Sequence, residues 1–265
     1  MEQLCRSINM PEEVTQQMVS LHEIMEMHSF LPLLMKRETW QTGLAQMKED
    51  LGEDPRGMKA LCSMLRCALL ARETYDQLGI SEEIYMATMG AFSRFVRENM
   101  ESYGFYGFTR ESWTTRQVSG TLLRIGQMEY EIKTVNDEKM VAFHIPTDVD
   151  FRPQVLRPSV KEGIAEIFRL FPDYADATVY CQSWLMSPLL KDFLPEGSNI
   201  LKFQEMFDME PEGIPSKLLL TWVFKNPKLP PEDYPEDTSL QRKLKKFLLE
   251  GGEFLDGRGY LKKQL

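Results

Sequence analysis

Two side chains in the C-terminal half are placed to move a proton. Glu129 lies in the alternating run 127–133, on its polar side with Glu131, and a strand carboxylate can serve as a general base. The alternative is an exposed carboxylate paired with a nearby Arg or Lys. His144 ends a later strand-like run and is the one histidine beyond residue 110. An imidazole with an intrinsic pKa of about 6.5 titrates where a base must; a histidine hydrogen-bonded to backbone is the plainer reading. Arg116, Gln117 and Arg124 flank Gly120. Arg124 alternates with Leu123 and Ile125, so it is either a buried partner for Glu129 or Glu131 or an anion binder, since an arginine among apolar neighbours needs a counter-charge. Asn199 follows Ser198, a potential helix cap, and suits a turn or a ligand. Cys181 has no histidine near it in sequence, so nothing lowers its pKa enough to make it a covalent nucleophile.

Composition bounds these readings. The 265 residues are 43% hydrophobic and 27% charged, with a net charge of −9, which suits a globular chain with a substantial core and gives no nucleic-acid footprint. The four cysteines form no CxxC pair and the three histidines are dispersed, so no metal site is expected. There is no basic-then-apolar leader and no apolar run of about 18 residues. The chain is therefore expected to be cytoplasmic, with reduced, buried thiols.

The elements that must carry these residues change character along the chain. Pro11 opens a helix with Glu12 and Glu13 in its first turn. A second helix starts near Pro55, and a third follows the Ser81 cap and stops at Gly104. Twelve of the 17 methionines lie in the first hundred residues; they are read as core, with an adaptable binding face as the alternative. After residue 110 the period becomes two. Residues 121–133 read as a strand bulged at Gly126, 140–145 as its hairpin partner, 177–184 and 217–224 as further strands. Helices are expected from Pro158, over 188–194 and from Leu240, while 198–207 fits helix or strand, and 226–237 reads as a surface connection.

The blocks GISEEIYMATMGAFSRFVRENMESYG (79–104), ESWTTRQVSGTLLRIGQMEYEI (111–132), VAFHIP (141–146), CQSWLMSPLL (181–190), LPEGSNILKFQEMF (194–207) and DTSLQRKLKKFLLEGG (237–252) run in one order through the chain. Together they resemble a bacterial family of acyltransferase-domain proteins that join an N-terminal helical N-acyltransferase region to a GNAT-like C-terminal domain. The resemblance implies an α+β fold: a helical region over 1–110 packed on a mixed, mainly antiparallel GNAT-like sheet flanked by helices over 111–265. It implies acyl-CoA, acetyl or longer, held where two parallel strands splay apart.

In that family the pyrophosphate lies on backbone amides of a Q/R-x-x-G-x-G/A loop at a helix N-terminus. Here the corresponding segment, PTDVDFRPQVLRPSVKEG (146–163), has no G-x-G, and Pro153 and Pro158 lack amide donors. Arg152 and Arg157 are expected to hold phosphate by side chain instead, with Arg116, Arg124 and Asn199 as further cofactor-binding candidates. The resemblance makes Glu129 and His144 base candidates and Ser183 the donor to the leaving thiolate. The implied function is an acyl-CoA-dependent N-acyltransferase acting on a small-molecule amine, with no metal, nucleic acid or membrane. The missing glycine loop keeps a non-catalytic, ligand-binding descendant open.

Overall fold

The computed structural model describes residues 1–216, 218–226 and 228–263. They form two compact units, Met1–Ile125 and Gly126–Leu265.

The first unit is helical: α1 (Glu2–Ser7), α2 (Glu12–Ile24), α3 (Leu31–Leu34), α4 (Trp40–Leu51), α5 (Met58–Gln77), α6 (Glu82–Tyr103) and α7 (Glu111–Val118), closed by the short strand β1 (Leu122–Ile125). Helix α5 is its axis, with Leu61, Met64, Leu65 and Ala68 fully buried. Arg66 of α5 is also buried, and its guanidinium donates to the carbonyls of His22 at 2.8 Å, Met25 at 2.7 Å and Glu26 at 2.6 Å. It thereby satisfies acceptors that the end of α2 leaves open. Ser81 caps α6 by accepting from the Ile84 amide, and Gly104 closes it in the left-handed conformation. Met18, Met47, Met58, Met64 and Met89 are core, whereas Met27 is exposed. The helical region continues past the expected limit at 110, because Glu111–Val118 is helix rather than the first part of the sheet.

The second unit begins where the chain turns at Gly126 and Gln127. Gly126 has φ +59°, so the expected bulge is a turn. A Cβ there would overlap the Ser159 hydroxyl, which accepts from the Gln127 amide at 2.9 Å. The unit contains β2 (Met128–Val135), β3 (Glu138–His144), α8 (Pro153–Leu170), β4 (Thr178–Ser183), α9 (Leu190–Phe193), α10 (Asn199–Gln204), β5 (Phe207–Met209), β6 (Ile214–Pro215), α11 (Leu218–Phe224), α12 (Ser239–Leu249) and β7 (Leu255–Leu261). The sheet runs β2-β3-β4-β7-β5, with β6 also on β7. Among the described pairs of these strands, β3 and β4 are parallel and the rest antiparallel. The sheet is thus mixed and mainly antiparallel, as expected.

Helix α8 makes the crossover between the parallel strands. It begins at Pro153, five residues before the expected start, and Pro158 lies inside it. Proline suits the first helical position because that amide has no intrahelical acceptor. Gly163 lets α8 approach the sheet: a Cβ there would lie 2.7 Å from Tyr130 ring carbons.

The strand expected over 217–224 is a helix over Leu218–Phe224, and Lys217 lies outside the described residues. Leu219, Val223 and Phe224 are buried while Leu218 is exposed, a four-residue repeat that the apolar alternation at 218, 220, 222 and 224 concealed. The ambiguous stretch 198–207 resolves into α10 followed by the first residue of β5. Of the expected connection 226–237, Pro227 is outside the described residues. Strand β7 was not expected. Its Gly257 and Gly259 break the apolar alternation, and they are required because Met186 lies directly over them.

Candidate functional site

Directly opposed residues on neighbouring strands share a sheet face, and faces alternate along each strand. Glu129 lies opposite His144, and Glu131 opposite Ala142, in the β2–β3 ladder. Ala142 is in turn paired with Tyr180 of β4, Tyr180 with Tyr260 of β7, and Gln182 with Arg258. One face therefore carries Glu129, Glu131, His144, Tyr180, Gln182, Arg258 and Tyr260. The other carries Met128, Tyr130, Phe143, Val179 and Cys181, against which α8 packs.

On the polar face, Glu131 and His144 are joined: Oε2 lies 3.0 Å from Nε2. Glu131 and Glu129 are each 3% exposed, and the His144 side chain is 23% exposed. A buried carboxylate against a half-buried imidazole fixes the orientation of the ring, which is the geometry a general base and an orienting partner need. Sequence reasoning placed Glu129 and His144 on one site and the structure puts them on one face. Glu131, which was not among the base candidates, is in contact with His144. Tyr180 was also missed; its ring lies 5.2 Å from the Lys133 ammonium. Beside it, Gln182 accepts from Arg258 at 2.7 Å, and the Tyr260 hydroxyl donates to Glu210 at 2.7 Å. The signal available in sequence was the two-residue spacing of Glu129, Glu131 and Lys133; the pairing to β4 was not.

The parallel ladder has three register positions, ending at Ala142 and Tyr180, whereas β3 continues to His144 and β4 to Ser183. Beyond Ala142 and Tyr180 the two strands have parted company in the ladder. Ser183 lies on this stretch but has the parity of Cys181, so it faces away from His144. Its hydroxyl oxygen accepts from the Leu185 amide at 3.2 Å. Burial pushes the Cys181 thiol well above its usual range, which suits a core residue and not a nucleophile.

The expected phosphate-binding arginines flank the start of α8. Arg152 is the residue before Pro153 and forms a forked ion pair with Asp150, holding that carboxyl below its usual pKa. Arg157, one turn on, is 42% exposed and stands 3.9 Å from Glu205. Asn199 is exposed at the first position of α10, whose cap is Ser198. Arg116 and Arg124 belong to the first unit: the Arg116 guanidinium lies over the Trp113 ring at 4.7 Å, and the Arg124 amide donates to Thr88 at 2.9 Å. Among the described residues, no group of three or more His, Cys, Asp or Glu side chains is placed to hold a metal ion.

Residues 121–261 match the GNAT-like C-terminal domain family, and residues 1–120 match the N-acyltransferase N-terminal domain family. The chain belongs to the GNAT-like C-terminal domain family. Its fold is similar to that of an acyltransferase solved in complex with decanoyl-CoA and teicoplanin, at 21% identity and TM-score 0.79, over 98% of this chain and 86% of that one. An acyltransferase in complex with CoA and 10C-teicoplanin gives 20% identity and TM-score 0.80 over the same shares. No curated protein matches the chain. At these identities the likeness to solved structures is one of fold, and the fold is that of a GNAT-like acyltransferase.

Proposed function

We propose that the protein transfers an acyl group from acyl-CoA to the nitrogen of a small-molecule amine. The observation that carries this reading is the end of the parallel β3–β4 ladder at Ala142 and Tyr180, with Glu131 opposite Ala142 and in contact with His144, the next β3 residue on that face. An extended pantetheine arm would lie where the two strands part past the ladder. Arg152 and Arg157 supply charge for its phosphates at the start of α8, in place of a glycine-rich loop. Relatives of this fold solved with decanoyl-CoA and CoA support the same co-substrate. The residues present therefore fit acyl-CoA, with the phosphates held by side chains.

On this reading His144, oriented by Glu131, takes a proton from the acceptor ammonium so that the amine lone pair can attack the thioester carbonyl. Glu129, opposite His144 and buried, adds negative charge that draws a cationic acceptor to the polar face. The leaving thiolate needs a proton. Tyr180, on the same face as His144, is one candidate donor; Ser183, with its oxygen already used as an acceptor, keeps its own proton available from the other side. Four buried, unbridged cysteines suit a reducing cytoplasm, where acyl-CoA is made.

The test is ligand stabilisation followed by turnover. Acyl-CoA at a hundred to a thousand times its dissociation constant should stabilise the protein by about 2–4 kcal/mol, and an amine library should release free CoA. Stabilisation with no CoA release from any amine would favour the second reading, a non-catalytic binder, which the glycine-free loop at 146–152 suggests. No stabilisation by any acyl-CoA would overturn the acyltransferase reading.

A further inference from the structure

Two residues hold matching positions where β3 and β4 part. The last register pair of the parallel ladder is Ala142 with Tyr180. His144 and Gln182 are each the second residue beyond it, one on each strand, so both carry their side chains on the polar face. Gln182 is exposed there. The place where the strands part is thus flanked by an imidazole on the β3 side and a carboxamide on the β4 side. Ser183, the other polar residue at this end of β4, has the opposite parity.

The orientation of the Gln182 amide is fixed by its neighbour on β7. Arg258, directly opposite in the antiparallel β4–β7 ladder, donates to Gln182 Oε1 from Nε at 3.2 Å and from Nη2 at 2.7 Å. A guanidinium carries donors only, so the amide must turn its oxygen to Arg258 and its NH2 group away from β7, on the side where β3 lies. Arg258 is itself held: Glu210 Oε1 stands 3.8 Å from its Nη1 and accepts from the Tyr260 hydroxyl at 2.7 Å. Among the described residues, Gln182 Nε2 makes no hydrogen bond. An amide whose oxygen accepts from a cation is also the stronger N–H donor, because hydrogen bonds in a chain polarise one another.

We infer that Gln182 donates an N–H to the thioester carbonyl oxygen and holds the oxyanion that forms there, with Arg258 as the residue that positions it. The inference rests on the acyl-CoA reading above. As the amine lone pair forms the new C–N bond, the carbonyl π pair moves to oxygen, and Gln182 Nε2–H meets that charge. The pair then returns, the C–S bond breaks and the sulfur leaves with its electrons. The nitrogen gives up one proton and the sulfur gains one, while Gln182 keeps both of its own. A fixed neutral donor suits this task, because it interacts more strongly with the full charge of the oxyanion than with the ground-state carbonyl.

Isotope-edited infrared spectra of acetyl-CoA and decanoyl-CoA, labelled at the thioester carbonyl and bound to the full chain, test the contact without an acceptor. The carbonyl stretch should move to lower frequency on binding. Gln182→Glu keeps the side-chain shape and the Arg258 contact but offers no donor, and Gln182→Met removes the donor without adding charge. In both, the stretch should return to its solution value with acyl-CoA affinity little changed. Arg258→Met, which frees the amide to turn, should keep only part of the shift. With an amine that the protein accepts, kcat should fall by about 10²–10³ in the Gln182 variants, with acceptor KM and melting temperature little changed. An unshifted carbonyl in the native protein, or the same shift in the native protein and both Gln182 variants, would overturn the inference and leave the acyl-CoA reading intact. A lower melting temperature in both variants with the shift retained would make Gln182 and Arg258 a cross-strand pair that only supports the sheet, and also overturns it. Failure of both thioesters to bind would overturn the parent reading and this inference together.

Discussion

At the scale of single residues, the proposed chemistry stands on the Glu131–His144 contact. His144→Gln keeps a side chain able to hydrogen-bond Glu131 but cannot carry the proton. Turnover with acyl-CoA should fall by about 10²–10⁴ with little change in melting temperature, and a melt run beside the kinetic assay checks both. Glu129→Gln distinguishes the two carboxylates. If Glu131 is the orienting partner, Glu129→Gln should raise the acceptor KM more than it lowers kcat. A second residue makes a prediction about stability. Asp256 of β7 is 2% exposed, and its Oδ1 makes no hydrogen bond among the described residues. Burial raises its pKa above 3.8, opposed by a hydrogen bond from Ser216. The folded state thus holds the proton more tightly than the unfolded chain. Its stabilisation is fully present below the unfolded value and is lost as pH rises through the folded one. Asp256→Asn should therefore raise the melting temperature at pH 7 and have little effect near pH 3, which a pH series of melts decides.

At the scale of elements, two local devices hold the second unit in shape. Thr238 and Gln241 form a reciprocal capping box at the start of α12: the Gln241 amide donates to Thr238 at 3.1 Å and the Thr238 amide to Gln241 at 2.9 Å. Gln241 also donates to the Val223 carbonyl at 2.9 Å, tying α12 to α11. Thr238→Ala should cost about 1 kcal/mol in denaturant unfolding. Gly163 is the other device. With Tyr130 against it, Gly163→Ala should force α8 away from β2 and cost about 1–3 kcal/mol, although alanine is the better helix former. A stabilised Gly163→Ala protein would show that α8 and the sheet are not in close contact there.

At the scale of the whole molecule, the four cysteines give a probe of global order. Cys5, Cys62, Cys67 and Cys181 are each fully buried, and burial raises the pKa of every one, to about 11 for Cys5 and about 12 for Cys67. Neither access nor thiolate is available in the folded state. A thiol reagent should label none of them in native buffer and all four in denaturant, counted by mass spectrometry. Rapid native labelling of even one would mark a part of the fold that opens independently.

How much of this was legible beforehand follows from how local each cause is. The α2, α5 and α6 helices, and the β2–β3 hairpin, are written in short-range patterns: Pro11 with Glu12 and Glu13, the Ser81 cap with its Gly104 stop, and the alternation of Met128, Tyr130 and Ile132 against Glu129 and Glu131. Glu129 and His144 could be named as a shared site because both lie on one hairpin. The α11 helix could not be read, because its alternating leucines and aromatics satisfy a strand pattern as well as a helix, and only burial of Leu219, Val223 and Phe224 against α12 and its neighbours decides between them. Strand β7 could not be read, because its glycines answer to Met186, some seventy residues earlier in the chain. The contact of Glu131 with His144 is a diagonal one across the ladder, set by side-chain reach. The placement of Tyr180 beside that pair depends on a parallel crossover through α8. Sequence by itself determined the periods of α2, α5, α6 and the β2–β3 hairpin, and the family resemblance. Tertiary structure alone decided which polar residues meet, because hydrogen bonds and sheet faces are made between segments that composition and period describe only one at a time.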